Sequence, residues 1–252
     1  MPIDVNGYII NSTVAGNFQL KDITTEGLKV HFDAAAPESY PGSGTTWFDL
    51  SGNGYNGTLV NGPTYSTTNS GEIVFAGASN HYVQLGNIGS VGTAQTIEVW
   101  YNSTNVANYK NVCDMNYGTF NPNQGNAGPR LEMNSAGESG WNFSGNTSNN
   151  GIFTGMSPQY YITGNTWYHA VWSINNSGLV NTWLNGVQYA SNNTSPYGYQ
   201  TSYADVSLGR GFVLDSSRYF SGRIPIFRVY SRALSMAEVL QNYNVQKQRF
   251  GL

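Results

Sequence analysis

WYHAVWSINNSGLVNTWLNGVQYA, residues Trp167 to Ala190, reads as two β-hairpins that share a central strand. Trp167 to Ile174 is a run of aromatic and β-favouring residues, and Asn175-Asn176-Ser177-Gly178 is a turn cluster. Leu179 to Leu184 forms the next strand, and Asn185-Gly186 separates it from Val187. A two-residue Asn-Gly loop between strand formers is a strong hairpin signal, because both positions of a type I′ turn need φ > 0. Alternation places Tyr168, Ala170, Trp172 and Ile174 on one face, and Trp167, His169, Val171 and Ser173 on the other. Both faces are largely apolar, so this strand is expected to be covered on both sides, with His169 a satisfied core histidine.

The composition agrees with many short strands. The 252 residues include 30 Gly and 9 Pro, and 18 Tyr, 11 Phe and 6 Trp supply strand-favouring aromatics. Asn and Gly, both abundant, tolerate the φ > 0 of tight turns. Charged residues make up only 10%, which with so many aromatics argues against disorder. The net charge is −3, and the one mild basic cluster is Lys247 and Arg249, so binding nucleic acid through phosphates has no electrostatic support. Cys113 is the single cysteine. It excludes an intramolecular disulfide and is read as a small core residue. MPIDVNGYII lacks the basic and apolar regions of a secretion signal, and no stretch is long enough to span a membrane.

Residues 1–27 are expected to form an arm, and residues 28–252 one domain. Tyr8-Ile9-Ile10 and Phe18 with Leu20 are short strand candidates in the arm. Leu28, Val30 and Phe32 alternate, marking the first strand of the domain. Residues 34–66 are so punctuated by Gly and Pro that no long regular element is expected, with Trp47, Phe48 and Leu50 as anchors. Further strands are expected at Glu72 to Ala76, His81 to Leu85, Thr96 to Asn102, Lys110 to Met115, Arg130 to Met133, Trp141 to Phe143 and Gly151 to Thr154. Val206 to Leu208 and Gly222 to Tyr230 close the series, with Pro225 at an edge or a bulge. Ser235-Met236-Ala237-Glu238 has the capping-box form, so a helix is expected over roughly 236–247, packed on a sandwich edge or a neighbouring subunit. The sum is an all-β chain: a two-sheet antiparallel jelly-roll sandwich with one short C-terminal helix.

Several stretches together resemble the laminin-G-like, concanavalin-A-like lectin/glucanase superfamily, in the form found in bacteriophage virion proteins. They are the opening strand and DLSGNGYNG loop, the hairpin EIVFAGASNHYVQLG, the strand TIEVWYN, residues 167–190, and the closing GRIPIFRVYSRALSMAEVLQNY. The resemblance covers about residues 27–246 and implies the fold. It is weak for function, because lectins, hydrolases and structural modules share it.

Catalysis in glucanases of this kind needs carboxylates flanking one bond. In the matching strand only Glu98 is acidic, and no E-x-D or D-x-E pair occurs. Glu98 is therefore read as structural, paired with Arg223 or Arg228, and the chain as a non-enzyme. The resemblance implies a structural calcium site, for which Asp33, Asp49, Asn53 and Asn56 are the candidates; the competing reading is that they satisfy turn backbone. Otherwise no cofactor is expected. A sugar site needs flat aromatic faces beside planar hydrogen-bonding groups, which makes Tyr117, Phe120, Asn121, Trp141, Tyr197 and Tyr199 the candidates. The leading expectation is a non-catalytic bacteriophage virion protein (a capsid decoration, head fibre or tail-associated component) that is homo-oligomeric. It would attach to other virion proteins through the arm or the C-terminal tail and bind host-surface glycans. The alternative is a stand-alone carbohydrate-binding lectin domain, and a hydrolase stands third.

Overall fold

In the computed structural model the described residues are 23–106, 109–116, 127–133, 138–144, 153–154, 160–193, 201–211 and 218–252. The first part of the chain forms β1 (Leu28–Asp33), β2 (Thr46–Trp47), β3 (Gly57–Val60), β4 (Thr64–Ser66), β5 (Glu72–Phe75), β6 (Tyr82–Gly86), β7 (Gly89–Ser90) and β8 (Gln95–Ser103). The middle forms β9 (Lys110–Asn116), β10 (Ala127–Met133), β11 (Glu138–Ser144), β12 (Phe153–Thr154) and β13 (Tyr160–Tyr161). The last part forms β14 (Trp167–Ile174), β15 (Leu179–Leu184), β16 (Val187–Asn193), β17 (Ser202–Tyr203), β18 (Asp205–Leu208), β19 (Gly222–Tyr230) and the helix α1 (Met236–Gln246).

All of these strands but β7 and β17, which pair only with each other, make two antiparallel sheets. The first runs β16-β15-β14-β8-β19-β5-β4, with β1 also on β19. The second runs β12-β11-β10-β9-β18-β6-β3-β2, with β13 on β11. The expected sandwich is thus observed. Ile97, Val99, Ala170, Trp172 and Ile174 of the first sheet share one core with Val83, Met115, Leu131, Val206 and Leu208 of the second. Phe32 stacks on Trp47 across the two sheets, with ring centroids 4.9 Å apart.

The strand Trp167–Ile174 has the expected bounds. Its hairpin turn has φ of 50° at Asn185 and 77° at Gly186. A Cβ on Gly186 would stand 2.8 Å from the Tyr243 ring, so glycine serves both the turn and the close approach of α1. Residues 34–66 hold no long regular element, as expected: β2, β3 and β4, of 2, 4 and 3 residues, fit between the glycines and prolines. Pro225 lies at a bulge, the second of the two expected placements: in the central strand β19 the register against β8 slips between Arg223 and Ile226, and the other neighbour changes from β5 to β1. The bulge removes the need for its missing donor. Of the expected arm, Ile23 and Thr24 are buried, and the Thr24 N–H donates to Asn242 at 2.8 Å. The remaining arm candidates lie outside the described residues.

The helix α1 starts at the expected cap, where Glu238 N–H donates to Ser235 and Ser235 N–H donates back to the Glu238 carboxylate. It lies over the outer face of the first sheet, which corrects the edge or subunit placement. Trp100, Ile226 and Phe250 cluster there with Trp167 and Tyr243, and Val239 packs with Val171, Trp183 and Tyr230. Beneath the helix a cross-strand row runs His31, Arg228, Glu98, Val171. Arg228 donates to Glu98 at 2.7 Å, and Asn242 of α1 donates to it at 2.8 Å. His169 Nε2 stands 2.9 Å from Glu98. An ionised carboxylate only accepts, so Nε2 carries the proton.

Glu98 thus pairs with Arg228, while Arg223 pairs with Glu72 at 2.9 Å. Burial opposes ionisation of Glu98, but Arg228, His169 and Asn242 outweigh it and bring its carboxyl down to about 2. Removing one partner of such a pair strands the other charge. Arg228→Met is therefore expected to cost about 3–5 kcal/mol in urea unfolding, and Glu98→Met in the same chain to restore part of it. A loss in the double variant equal to the sum of the two single-variant losses would show that the pair is not coupled.

Candidate functional site

The second sheet alternates too, with one fault. In β9, Val112 and Cys113 are consecutive, yet both lie in the core. The β9–β10 register slips between Leu131 and Glu132, opposite these residues. A bulge turns two neighbours to the same side, so Asn111 and Asp114, three apart, both face outward. Arg130 and Glu132 of β10 flank core residues Leu131 and Met133, and Asp205 and Ser207 of β18 alternate with Val206 and Leu208. Cross-strand pairing then lines up Arg130, Asp114, Ser207 and Gln84 on the outer face.

The face has an ordered set of ion pairs. Arg130 Nε donates to Glu132 at 3.0 Å, and Arg218 donates to the same oxygen at 3.2 Å. Arg210 donates to Gln84 at 2.5 Å and to Asp205 at 3.3 Å, and lies 4.2 Å above the Tyr82 ring. Gln84 in turn donates to Asp205 at 2.6 Å. Arg130, Glu132, Asp205, Arg210 and Arg218 therefore meet on one face.

Two side chains there are left out. Asp114 is 2% exposed and Asn111 is 0% exposed. Neither oxygen of Asp114 and neither polar atom of the Asn111 amide has a hydrogen-bond partner. Buried polar atoms are nearly always paired, and exceptions concentrate at functional sites. Burial pushes the Asp114 carboxyl up; Arg130 and Arg210 pull it down, Asp205 and Glu132 push it further up, and the outcome is about 7.

The sequence candidates fare differently. Tyr117, Phe120, Asn121, Tyr197 and Tyr199 lie outside the described residues. Trp141 is corrected: it pairs with Leu131 and sits in the sandwich core at 3% exposure, because its side of β11 faces inward. Asp33 bonds to Arg249 at 2.7 Å, away from the turn. Asp49, Asn53 and Asn56 do come together. The Asp49 carboxylate already accepts from His31 N–H, Ser51 N–H, Ser51 hydroxyl and Tyr55 N–H. Asn53 turns its amide nitrogen to the Leu28 and Lys29 carbonyls, and Asn56 accepts from Asp49 N–H. This donor arrangement fits a hydrogen-bonded turn and does not fit calcium. Among the described residues no three His, Cys, Asp or Glu side chains are grouped for a metal ion.

Asn111, Asp114, Arg130, Glu132, Asp205 and Arg210 are not among the site candidates that the sequence offers. The available signal was NVCD, where Asn and Asp flank two apolar residues and break the alternation of a strand.

Residues 75–240 match the family described as the concanavalin A-like lectin/glucanases superfamily. No curated protein matches the chain. Among solved structures it is similar to domain 4 of AbnA, an extracellular arabinanase from Geobacillus stearothermophilus, in complex with arabinotriose. The identity there is 19%, the TM-score 0.57, and the match covers 87% of this chain and 98% of that one. The binding domain of Paraclostridial Mosquitocidal Protein 1 is 18% identical with a TM-score of 0.63, over 87% of this chain and 52% of that one. Trypanosoma rangeli sialidase in complex with sialic acid is 11% identical with a TM-score of 0.62, over 88% of this chain and 33% of that one. The chain thus spans about half of the toxin domain and a third of the sialidase, and at these identities the likeness shows the fold.

A carboxyl raised in the folded state makes folding take up a proton between its unfolded and folded pKa values. Asp114 therefore lowers stability as pH rises from about 4, the ordinary carboxylate value, through about 7. Asp114→Asn is expected to raise Tm at pH 8 and to change it little at pH 4. An equal Tm change at both pH values would contradict the raised carboxyl.

Proposed function

The chain belongs to the concanavalin A-like lectin/glucanases superfamily, and from that premise we propose that it is a non-catalytic carbohydrate-binding domain whose binding surface is the outer face of the second sheet. The observation that carries this reading is the partly exposed set of polar groups Gln84, Asp205 and Arg210 beside the Tyr82 ring, held in fixed geometry by their own hydrogen bonds. Planar amide, carboxylate and guanidinium groups held rigidly on strands are what sugar hydroxyls require. The Geobacillus arabinanase domain in complex with arabinotriose, similar over nearly its whole length, supports the same reading.

Its non-catalytic character is supported by Glu98. That carboxylate is fully buried beneath α1 and locked to Arg228, His169 and Asn242, where no substrate bond reaches it. Reducing-sugar release from a polysaccharide panel would contradict this reading, which expects none.

For the assembly in which the domain works, the reading is the one its motifs suggest, a homo-oligomeric bacteriophage virion component that presents this face to host glycans. Mass spectrometry of purified particles tests it, and absence from the particles would reject it.

A glycan array is expected to give hits with the wild-type chain. Glu132→Ala frees Arg130 and Arg218 from their shared acceptor and is expected to weaken them at least about tenfold, as loss of a charged hydrogen-bond partner does. Val187→Ser, on an exposed position of β16, serves as the control with unchanged hits. Hits lost equally in both variants, or no hits, would count against this face.

A further inference from the structure

We propose that the β16 edge of the first sheet is the contact with a second copy of this chain, formed by antiparallel pairing of β16 with its counterpart about a two-fold axis. The inference rests on the homo-oligomeric part of the proposed function and gives it a surface and a symmetry. It does not involve the sugar-binding face.

The first observation is the distribution of charge. The chain has 11 Lys and Arg and 14 Asp and Glu, yet none of them falls between Ser139 and Ala204. That run supplies β14, β15 and β16 at one end of the first sheet. It also supplies β12, β13 and all but the first residue of β11 at one end of the second. The two ends lie on the same side of the sandwich: Tyr101 of β8 meets Ser139 of β11 across the core at 3.0 Å, while Phe32 of β1 stacks on Trp47 of β2 toward the other side. The strands of one side are therefore nearly free of charged residues.

The second observation is the edge itself. A sheet ends in a row of unpaired N–H and C=O groups, and stable monomers blunt such edges with very short strands, lysines, prolines or bulges. Among the described residues β4, β12 and β2, at the other three ends, have only 3, 2 and 2 residues. β16 has 7, pairs with no described strand but β15, and contains neither a charge nor a proline. Its one bulge is at Tyr189, between the pairs Trp183–Gln188 and Thr182–Ala190. Beyond it Ala190 to Asn193 run in regular register with Thr182 to Leu179, so this segment presents a regular outer edge to a further strand.

Charge and symmetry together select a second copy as the occupant. Each copy has a net charge of −3, and apposing the uncharged sides keeps the charges of two copies farthest apart. A partner recognised by its charge has no counter-charge to meet on β14, β15 or β16. Antiparallel pairing of one strand with its own copy is self-complementary, since each Ala190–Asn193 segment gives and receives the same backbone hydrogen bonds, as an isologous interface requires. Tyr189, 47% exposed at the start of that segment, adds the aromatic surface that such contacts favour.

Sedimentation equilibrium of the full chain, with hydrogen exchange, tests this. The wild type is expected to dimerise, at twice its 27.5 kDa, and backbone exchange in residues 190–193 to slow as the chain concentration rises. Tyr189→Lys brings a charge of the same sign into the contact from each copy. It is expected to raise the dimer Kd at least about tenfold, with part of the loss recovered at high salt. Phe48→Lys puts that charge on an exposed position just beyond β2, at the far end of the second sheet, and is expected to leave Kd unchanged. Val187→Ser keeps β16 uncharged and is expected to do the same. An oligomer weakened equally by Tyr189→Lys and Phe48→Lys, or one whose residues 190–193 exchange no more slowly than in the monomer, would overturn the inference and leave the homo-oligomeric reading standing. A wild-type monomer at every concentration would remove both, and the glycan array judges the sugar face separately. Circular dichroism checks that the variants fold; if Tyr189→Lys does not, the wild-type exchange profile decides.

Discussion

Glu98 is a carboxylate without solvent contact at the middle of a sheet, and the need to pair it organises the C-terminal third of the chain. An unpaired buried charge costs several kcal/mol, more than most single contacts return. Arg228 comes from β19, His169 from β14 and Asn242 from α1. The groups that neutralise Glu98 therefore also dock the helix on the sheet. Asn242 accepts from Thr24 N–H as well, which ties the first described residues to the same centre. Beyond α1, Phe250 stacks on Trp100 at 4.4 Å and Arg249 reaches Asp33 of β1, so the C-terminal residues and the first described residues are secured over one face.

The second sheet faces the same physical problem and answers it incompletely. Glu132 and Asp205 have arginine partners, and Asp114 between them has no hydrogen bond. The contrast lies within one domain, with similar burial and similar strand geometry. At Glu98 the surroundings hold the carboxyl near 2, whereas at Asp114 they leave it near 7. A purely structural face would gain stability by pairing Asp114 or replacing it with an apolar residue.

Much of the fold was legible because it depends on local pattern. Trp167 to Leu184 alternates cleanly and carries an Asn-Gly turn, so its strands were readable to the residue. The cap at Ser235 and Glu238 fixed the start of α1 in the same way. The helix's position was not legible, because a narrow apolar stripe says how much is buried but not against which surface. Trp141 was misplaced because the side a strand residue faces depends on register with Leu131 across the sheet. The Asp114 site was missed for a related reason. Its members come from β6, β9, β10 and β18, and no sequence spacing records cross-strand pairing. The bulge at Val112 and Cys113 hid it further, since plain alternation places Asn111 and Asp114 on opposite faces.

That bulge bears on why the site exists at all. Without the slip, either Asn111 or Asp114 would point into a core of Met115, Leu131 and Val206, where an unpaired polar group is costly. The extra residue lets two apolar side chains fill the core in succession, and the two polar ones that flank them emerge together. A single irregularity thus satisfies the packing of the interior and assembles the exterior pair. Because both depend on the same slip, a change that restores regular pairing in β9 would cost core packing and the outer-face geometry at once. The polar pair is built into the architecture of the sheet.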